Sequence, residues 1–238
     1  MMRLAAVLLC LLPAGCVRPA DPLPGFPRLV LWAWERPERL EFIDPHAAGV
    51  AYLARTVSWR DGRVNSVPRL QPLDVPPGTA VMAVTRLESW SPPLPPIEDV
   101  AAPILADAAS PAVRAVQIDF DAKQSERAWY GALIERLGRG LAGRKPLGIT
   151  ALASWCLGDP WVRSLAVADA VPMLFRMGQG EPRGVREFSS GVCRSSVGVA
   201  TDELPYRIPH GRRVFVFHPR PWTPEAYRAA VAFAGRFQ

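Results

Sequence analysis

The sequence predicts an α/β domain folded as a single small (β/α)8 TIM-like barrel with some abbreviated helices. Three observations predict it. Short, mostly continuous apolar runs recur along the chain, as strands buried on both faces require. Amphipathic stretches of helical period lie between several of them, and strand alternating with helix means parallel strands joined by crossovers. The runs number eight, the count that closes a barrel, and the first lacks the Gly-x-Gly-x-x-Gly turn of an open dinucleotide-binding sheet.

In chain order the runs are Leu29–Trp34, Gly49–Leu53, Ala80–Thr85, Val113–Phe120, Leu147–Ser154, Ala170–Phe175, Val197–Ala200 and Arg213–Phe217. Between the third and fourth, Ile97, Val100, Ala101, Ile104, Leu105 and Ala108 recur at helical spacing. After the fourth, Trp129, Tyr130, Leu133, Ile134, Leu137 and Leu141 do the same, with Ser125 as the expected N-cap. The chain closes on a third helix from Thr223, an N-cap followed by Pro224 in the first turn. Residues 58–79 carry no helical pattern and predict a hairpin excursion around Asp61-Gly62. Residues 202–212 join the last two strands without a helix.

The first sixteen residues predict export rather than fold. Arg3 precedes a short apolar core, Leu4 to Leu12, which matches a secretory signal and falls short of the roughly 20 residues that span a bilayer. Pro13-Ala14-Gly15-Cys16 resembles a lipobox with Pro13 where Leu is usual. Lipidation of Cys16, which would tie the protein to a membrane, and ordinary cleavage both fit this ending. Residues 17–27 read as a proline-rich tether, and 28–238 as the barrel. Export leaves Cys156 and Cys193 as an even pair in an oxidising compartment, either bridged or separate buried thiols. The expected location is therefore the periplasm or cell envelope.

The net charge of +6 is carried by scattered arginines, with Lys123 and Lys145 the only lysines. A nucleic-acid surface would concentrate them on one face, so that partner is excluded. No CxxC or HxxxH spacing suggests a metal, and no P-loop or Gly-x-Ser-x-Gly elbow appears, so no cofactor is expected.

In this fold, chemistry sits at the carboxyl ends of the strands. Those ends carry Trp34 and Glu35, Arg55, Arg86 and Glu88, Asp119 and Asp121, Ser154 and Trp155, Arg176, Asp202 and Glu203, and His218 to Trp222. Along Gln117-Ile118-Asp119-Phe120-Asp121, alternation sends Ile118 and Phe120 to the helix layer and Gln117, Asp119 and Asp121 into the barrel. Two enclosed carboxylates repel, which should raise one pKa and prepare a proton donor beside a charged partner. Pairing with Arg55, Arg86, Arg176 or Arg220 is the competing expectation. Glu35 and Glu88 are further carboxylate candidates. Arg86, Arg176, Arg220 and Asp202 are candidates to orient a polar or anionic sugar, and Trp34, Trp155 and Trp222 to stack on one. A polysaccharide is the expected ligand. His218 fits a structural histidine better than a catalytic one.

Several motifs together resemble an uncharacterised bacterial family of exported proteins, a domain of unknown function. They are Phe26-Pro27-Arg28 ahead of Leu-Trp-Ala-Trp-Glu-Arg-Pro-Glu, Gln-Ile-Asp-Phe-Asp-Ala with Ser125-Glu126-Arg127, residues 149–156, residues 171–178, and Pro219-Arg220-Pro221-Trp222. That resemblance implies a barrel and no particular reaction. The fourth run is more distantly similar to chitinase-type glycosidases, whose strand reads D-x-x-D-x-D-x-E with the final Glu as acid. Asp119 and Asp121 match the two middle aspartates, whereas Val116 and Lys123 occupy the first Asp and the Glu positions. The resemblance therefore implies that a glycosidase here would use Asp121, or a residue from another strand, as its acid. The rival expectation is a non-catalytic envelope lipoprotein that binds glycan or a partner protein through the same mouth.

Overall fold

A computed structural model describes residues 20–177 and 184–238. The signal and the lipidation expected at Cys16 lie outside the described residues. Eight parallel strands close a barrel: β1 (Leu29–Ala33), β2 (Ala48–Arg60), β3 (Val81–Ser89), β4 (Val113–Asp119), β5 (Leu147–Leu152), β6 (Asp169–Met173), β7 (Ser196–Ala200) and β8 (Arg213–Phe217). Each pairs with the next, and β8 returns to β1 with Leu29 opposite Val214. The predicted barrel is thus the observed one.

Four α-helices stand among the described residues: α1 (Ile97–Ala108), α2 (Arg127–Leu141), the short α3 (Ala153–Leu157) and α4 (Pro224–Gly235). The others are abbreviated, as this length demands. Thr223 caps α4 as expected, accepting the Ala226 N–H at 3.2 Å. Ser125 does not cap α2. It lies inside the 3-10 turn Gln124–Glu126, and the longer Glu126 side chain reaches back to accept the Lys123 N–H at 2.8 Å.

The barrel has two cores. Ile104, Leu133, Leu137 and Phe233 fill the space between strands and helices. Val30, Trp32, Ala51, Met82, Val84, Val171 and Phe215 fill the interior. Small residues make room for large ones there. A Cβ on Gly198 would lie 2.8 Å from the Trp32 ring.

Two features depart from expectation. β2 does not stop at Leu53. A bulge between Leu53 and Arg55 shifts its register against β3, and such an extra residue reverses which side chains face inward. Arg55 therefore points outward to Asp107 of α1, at 2.8 Å, and not to the mouth. The strand then runs on to Arg60, turns at Asp61 and Gly62 with φ of 52° and 74°, and returns antiparallel as Arg63–Pro68. That is the predicted hairpin, built on a two-residue turn with both residues left-handed.

The second departure concerns the proline-rich segment. From Asp21 onward it is packed, not extended. Leu23 is fully buried and Phe26 nearly so, both against the interior core at the amino end of the strands. The buried Arg213 at the start of β8 holds this plug through the Leu23, Phe26 and Pro27 carbonyls and the Asp21 carboxylate. Apolar burial at Leu23 and Phe26 outweighs the extended preference of the prolines around them.

Cys156 of α3 and Cys193, just before β7, form a disulfide that closes a loop of 37 residues. It ties α3 to the connection after β6. For such a loop the chain-entropy contribution is about 4 kcal/mol.

Candidate active site

The carboxyl ends of the strands surround a cleft of about 690 Å³. Strand alternation decides what enters it. On β4, Val116, Ile118 and Phe120 join the helix-facing core. Gln117 points inward and accepts the Trp32 indole N–H at 2.9 Å, while Asp119 and Asp121 line the cleft above it. On β1, Trp32 and Trp34 face the cleft, and β3 contributes Arg86, Glu88 and, just past its end, Trp90.

Asp119 is the deeper carboxylate. Thr150 of β5 donates its hydroxyl to Oδ1 at 2.7 Å. Burial pushes the Asp119 carboxyl up, against the lowering pull of the Thr150 hydrogen bond and the Arg86 charge, and the nearby Asp121 adds to the rise. Asp121 sits at the rim. Burial raises its pKa too, and Arg86 opposes that rise. Both carboxyls are raised, where charge repulsion alone would raise one, because desolvation acts on each.

The arginines do not neutralise this pair. Arg86 binds Glu88 at 2.8 Å, and its guanidinium lies 5.6 Å from the Trp34 ring. Arg176, held at φ 54°, binds Asp202 at 2.6 Å and Glu203 at 3.0 Å. Neither Asp119 nor Asp121 makes an ion pair among the described residues. Two carboxylates with raised pKa thus face open space in a cleft, the condition of a proton donor.

The remaining candidates divide. Trp34, Glu88 and Arg176 line the cleft, and Asp202 stands behind Arg176 as its exposed partner. Glu35 does not enter. It faces away from Trp34 by strand parity, is exposed, and accepts the Leu70 N–H at 3.2 Å. Arg220 is exposed and outside the lining. Trp155 is buried against Trp161, with ring centres 4.8 Å apart, because α3 begins at Ala153 and turns it into the core. Trp222 is also buried, its indole donating to the Trp32 carbonyl at 2.9 Å and its backbone N–H to Glu38. Neither can meet a ligand. His218 places Nδ1 2.6 Å from the Thr201 hydroxyl, and burial holds its pKa low.

The structure adds lining residues that strand ends alone do not reveal. Glu126, nearly buried, projects from the turn ahead of α2, beside Lys123. Thr150 shares a face with Leu152, and the inward rings of Phe175 and Phe217 stack with planes 2° apart. Period-2 parity extended from Met173 and Phe215 would have found both phenylalanines.

No family model, curated protein or solved structure matches the chain.

Proposed function

We propose that the protein is an exported, glycoside-hydrolase-like barrel that cleaves a polysaccharide outside the cytoplasm, with Asp121 as general acid. The observation that carries this reading is the pair of carboxyls, Asp119 half-buried and Asp121 exposed at the rim, that line an aromatic-walled cleft with no ion pair among the described residues. Trp34, Trp90 and the Phe175–Phe217 stack offer apolar faces of the kind sugar rings pack against, and the carboxylates and Thr150 offer hydroxyl partners. The Cys156–Cys193 bridge supports an oxidising location.

In this mechanism the Asp121 proton passes to the glycosidic oxygen as the bond from that oxygen to the anomeric carbon breaks. The Asp119 carboxylate, beneath it, opposes the positive charge that develops at the sugar. Water then bonds to the anomeric carbon, and its proton restores Asp121. Raised carboxyls suit this role because the acid stays protonated at milder pH.

Hydrolysis measured across a panel of envelope glycans tests the proposal. The wild type should release reducing ends from at least one glycan, and Asp121→Asn should lose about 100-fold or more of that rate, as removal of a general acid does. Equal rates for the two proteins on every glycan would overturn it. One observation favours a second reading: Lys123 stands where chitinase-type strands place their acid. A non-catalytic glycan-binding protein would show saturable binding by both proteins with no turnover.

A further inference from the structure

Beyond the rim, β2 continues as the middle strand of a three-stranded ribbon, between β3 and the antiparallel strand Arg63–Pro68. Arg60 lies opposite Arg63, and Ser58 opposite Asn65. Directly opposed residues share a face, and Ser58 and Arg60 are one pleat apart. These four side chains therefore stand on one side of the ribbon. The buried Trp59 between them points the other way, onto Phe120 and Trp129. Trp90 follows Ser89, the partner of Trp59 in β3, and its ring lies 5.6 Å from the Arg60 guanidinium. It is 60% exposed, far more than a packing tryptophan needs to be. Arg60, Arg63, Ser58, Asn65 and Trp90 line a shallow groove of about 330 Å³ together with Asp61 and an edge of Trp59, and Trp90 also lines the cleft. Groove and cleft thus meet at one ring.

Like charges set directly opposite each other weaken a ribbon. Arg60 and Arg63 make no ion pair among the described residues. Asp61, between them in sequence, accepts instead the Ser91 hydroxyl at 2.7 Å. The ribbon therefore holds two guanidinium groups with no carboxylate partner among the described residues, one of them over an exposed indole, next to the proposed sugar cleft.

We propose that this groove is an outer subsite for a uronic-acid residue of the same polysaccharide chain that enters the cleft. Its carboxylate lies between Arg60 and Arg63, a planar oxyanion matched to guanidinium forks. Its ring packs on Trp90, and Asn65 and Ser58 meet its hydroxyls. The inference rests on the cleft being a sugar site and narrows the substrate class to acidic polysaccharides that occupy both places. The acidic unit sits over the arginines, and the cleft carboxylates meet its neighbour.

Calorimetric titration with tetragalacturonate and with neutral cellotetraose tests it, using the wild type, an Arg60→Gln/Arg63→Gln double variant and Trp90→Ala. Arg60, Arg63 and Trp90 are exposed, so thermal unfolding should show all three proteins folded alike. The wild type should bind tetragalacturonate at least about tenfold tighter than cellotetraose, a modest effect for two charge-assisted contacts. The ratio should fall to about one in the double variant, and Trp90→Ala should weaken both ligands. Equal binding of the two sugars by the wild type, or a preference that survives in the double variant, overturns the subsite and leaves the cleft reading standing. Failure of tetragalacturonate to bind the wild type likewise overturns the subsite, while the cleft reading is decided separately by the hydrolysis panel.

Discussion

Replacing Asp169 with Asn should remove a pH dependence of stability that is built into the closed end of the barrel. Asp169 opens β6 at the amino end and is 1% exposed. Ser196 donates its hydroxyl to Oδ2 at 2.6 Å, while Oδ1 has no partner. Burial raises its pKa from 3.8 to about 6, against the lowering effects of the Ser196 hydrogen bond and the Arg213 charge. Between those values the unfolded chain ionises Asp169 while the folded chain keeps it protonated. The folded state then binds more protons, so stability falls as pH rises through the window. The contribution is fully present below 3.8 and lost above about 6. A displacement of this size carries about 3 kcal/mol, at roughly 1.4 kcal/mol per unit. Asp21, the other acid at this end, is raised by burial but lowered more by hydrogen bonds from Arg213 and Leu23, so it titrates below the window. Urea unfolding of wild type and Asp169→Asn from pH 4 to 7, with the disulfide intact, measures the effect. The advantage of wild type over variant should shrink by up to about 3 kcal/mol across that range. A constant difference would refute the buried, protonated carboxyl. A difference that grows with pH would instead show Asp169 ionised and paired with Arg213.

Three further outcomes are expected. Substituting both Cys156 and Cys193 with Ser should cost about 4 kcal/mol of stability by equilibrium unfolding, from the entropy of the 37-residue loop. Arg86→Met should move the basic limb of the pH–rate profile to higher pH. Arg86 lowers the pKa of both Asp119 and Asp121, so its loss keeps the acid protonated to higher pH. Gly198→Ala should cost about 1–3 kcal/mol by overpacking, since the new Cβ meets the Trp32 ring, and a change in tryptophan fluorescence would report that ring's displacement.

The strands were legible because parallel barrel strands are buried on both faces and read as unbroken apolar runs. The same parity placed Asp119 and Asp121 in the cleft and Ile118 and Phe120 behind it. Parity fails where the backbone leaves the strand. The β2 bulge turned Arg55 outward, and the early start of α3 buried Trp155. Glu126 was hidden for a related reason, since only the 3-10 turn aims it at Lys123 and the cleft. Leu23 and Phe26 were obscured by the prolines around them, because local composition cannot show that a buried arginine distant in sequence holds the segment in place.

That plug also gives the molecule a direction. The chain reaches the barrel at the amino end of the strands, where Arg213 grips the carbonyls of Leu23 and Phe26. The cleft opens at the opposite pole. The described chain therefore begins at the pole opposite the mouth. The hairpin groove and the cleft, which share Trp90, lie together at the far pole. Immobilising the protein through its amino end should preserve ligand access.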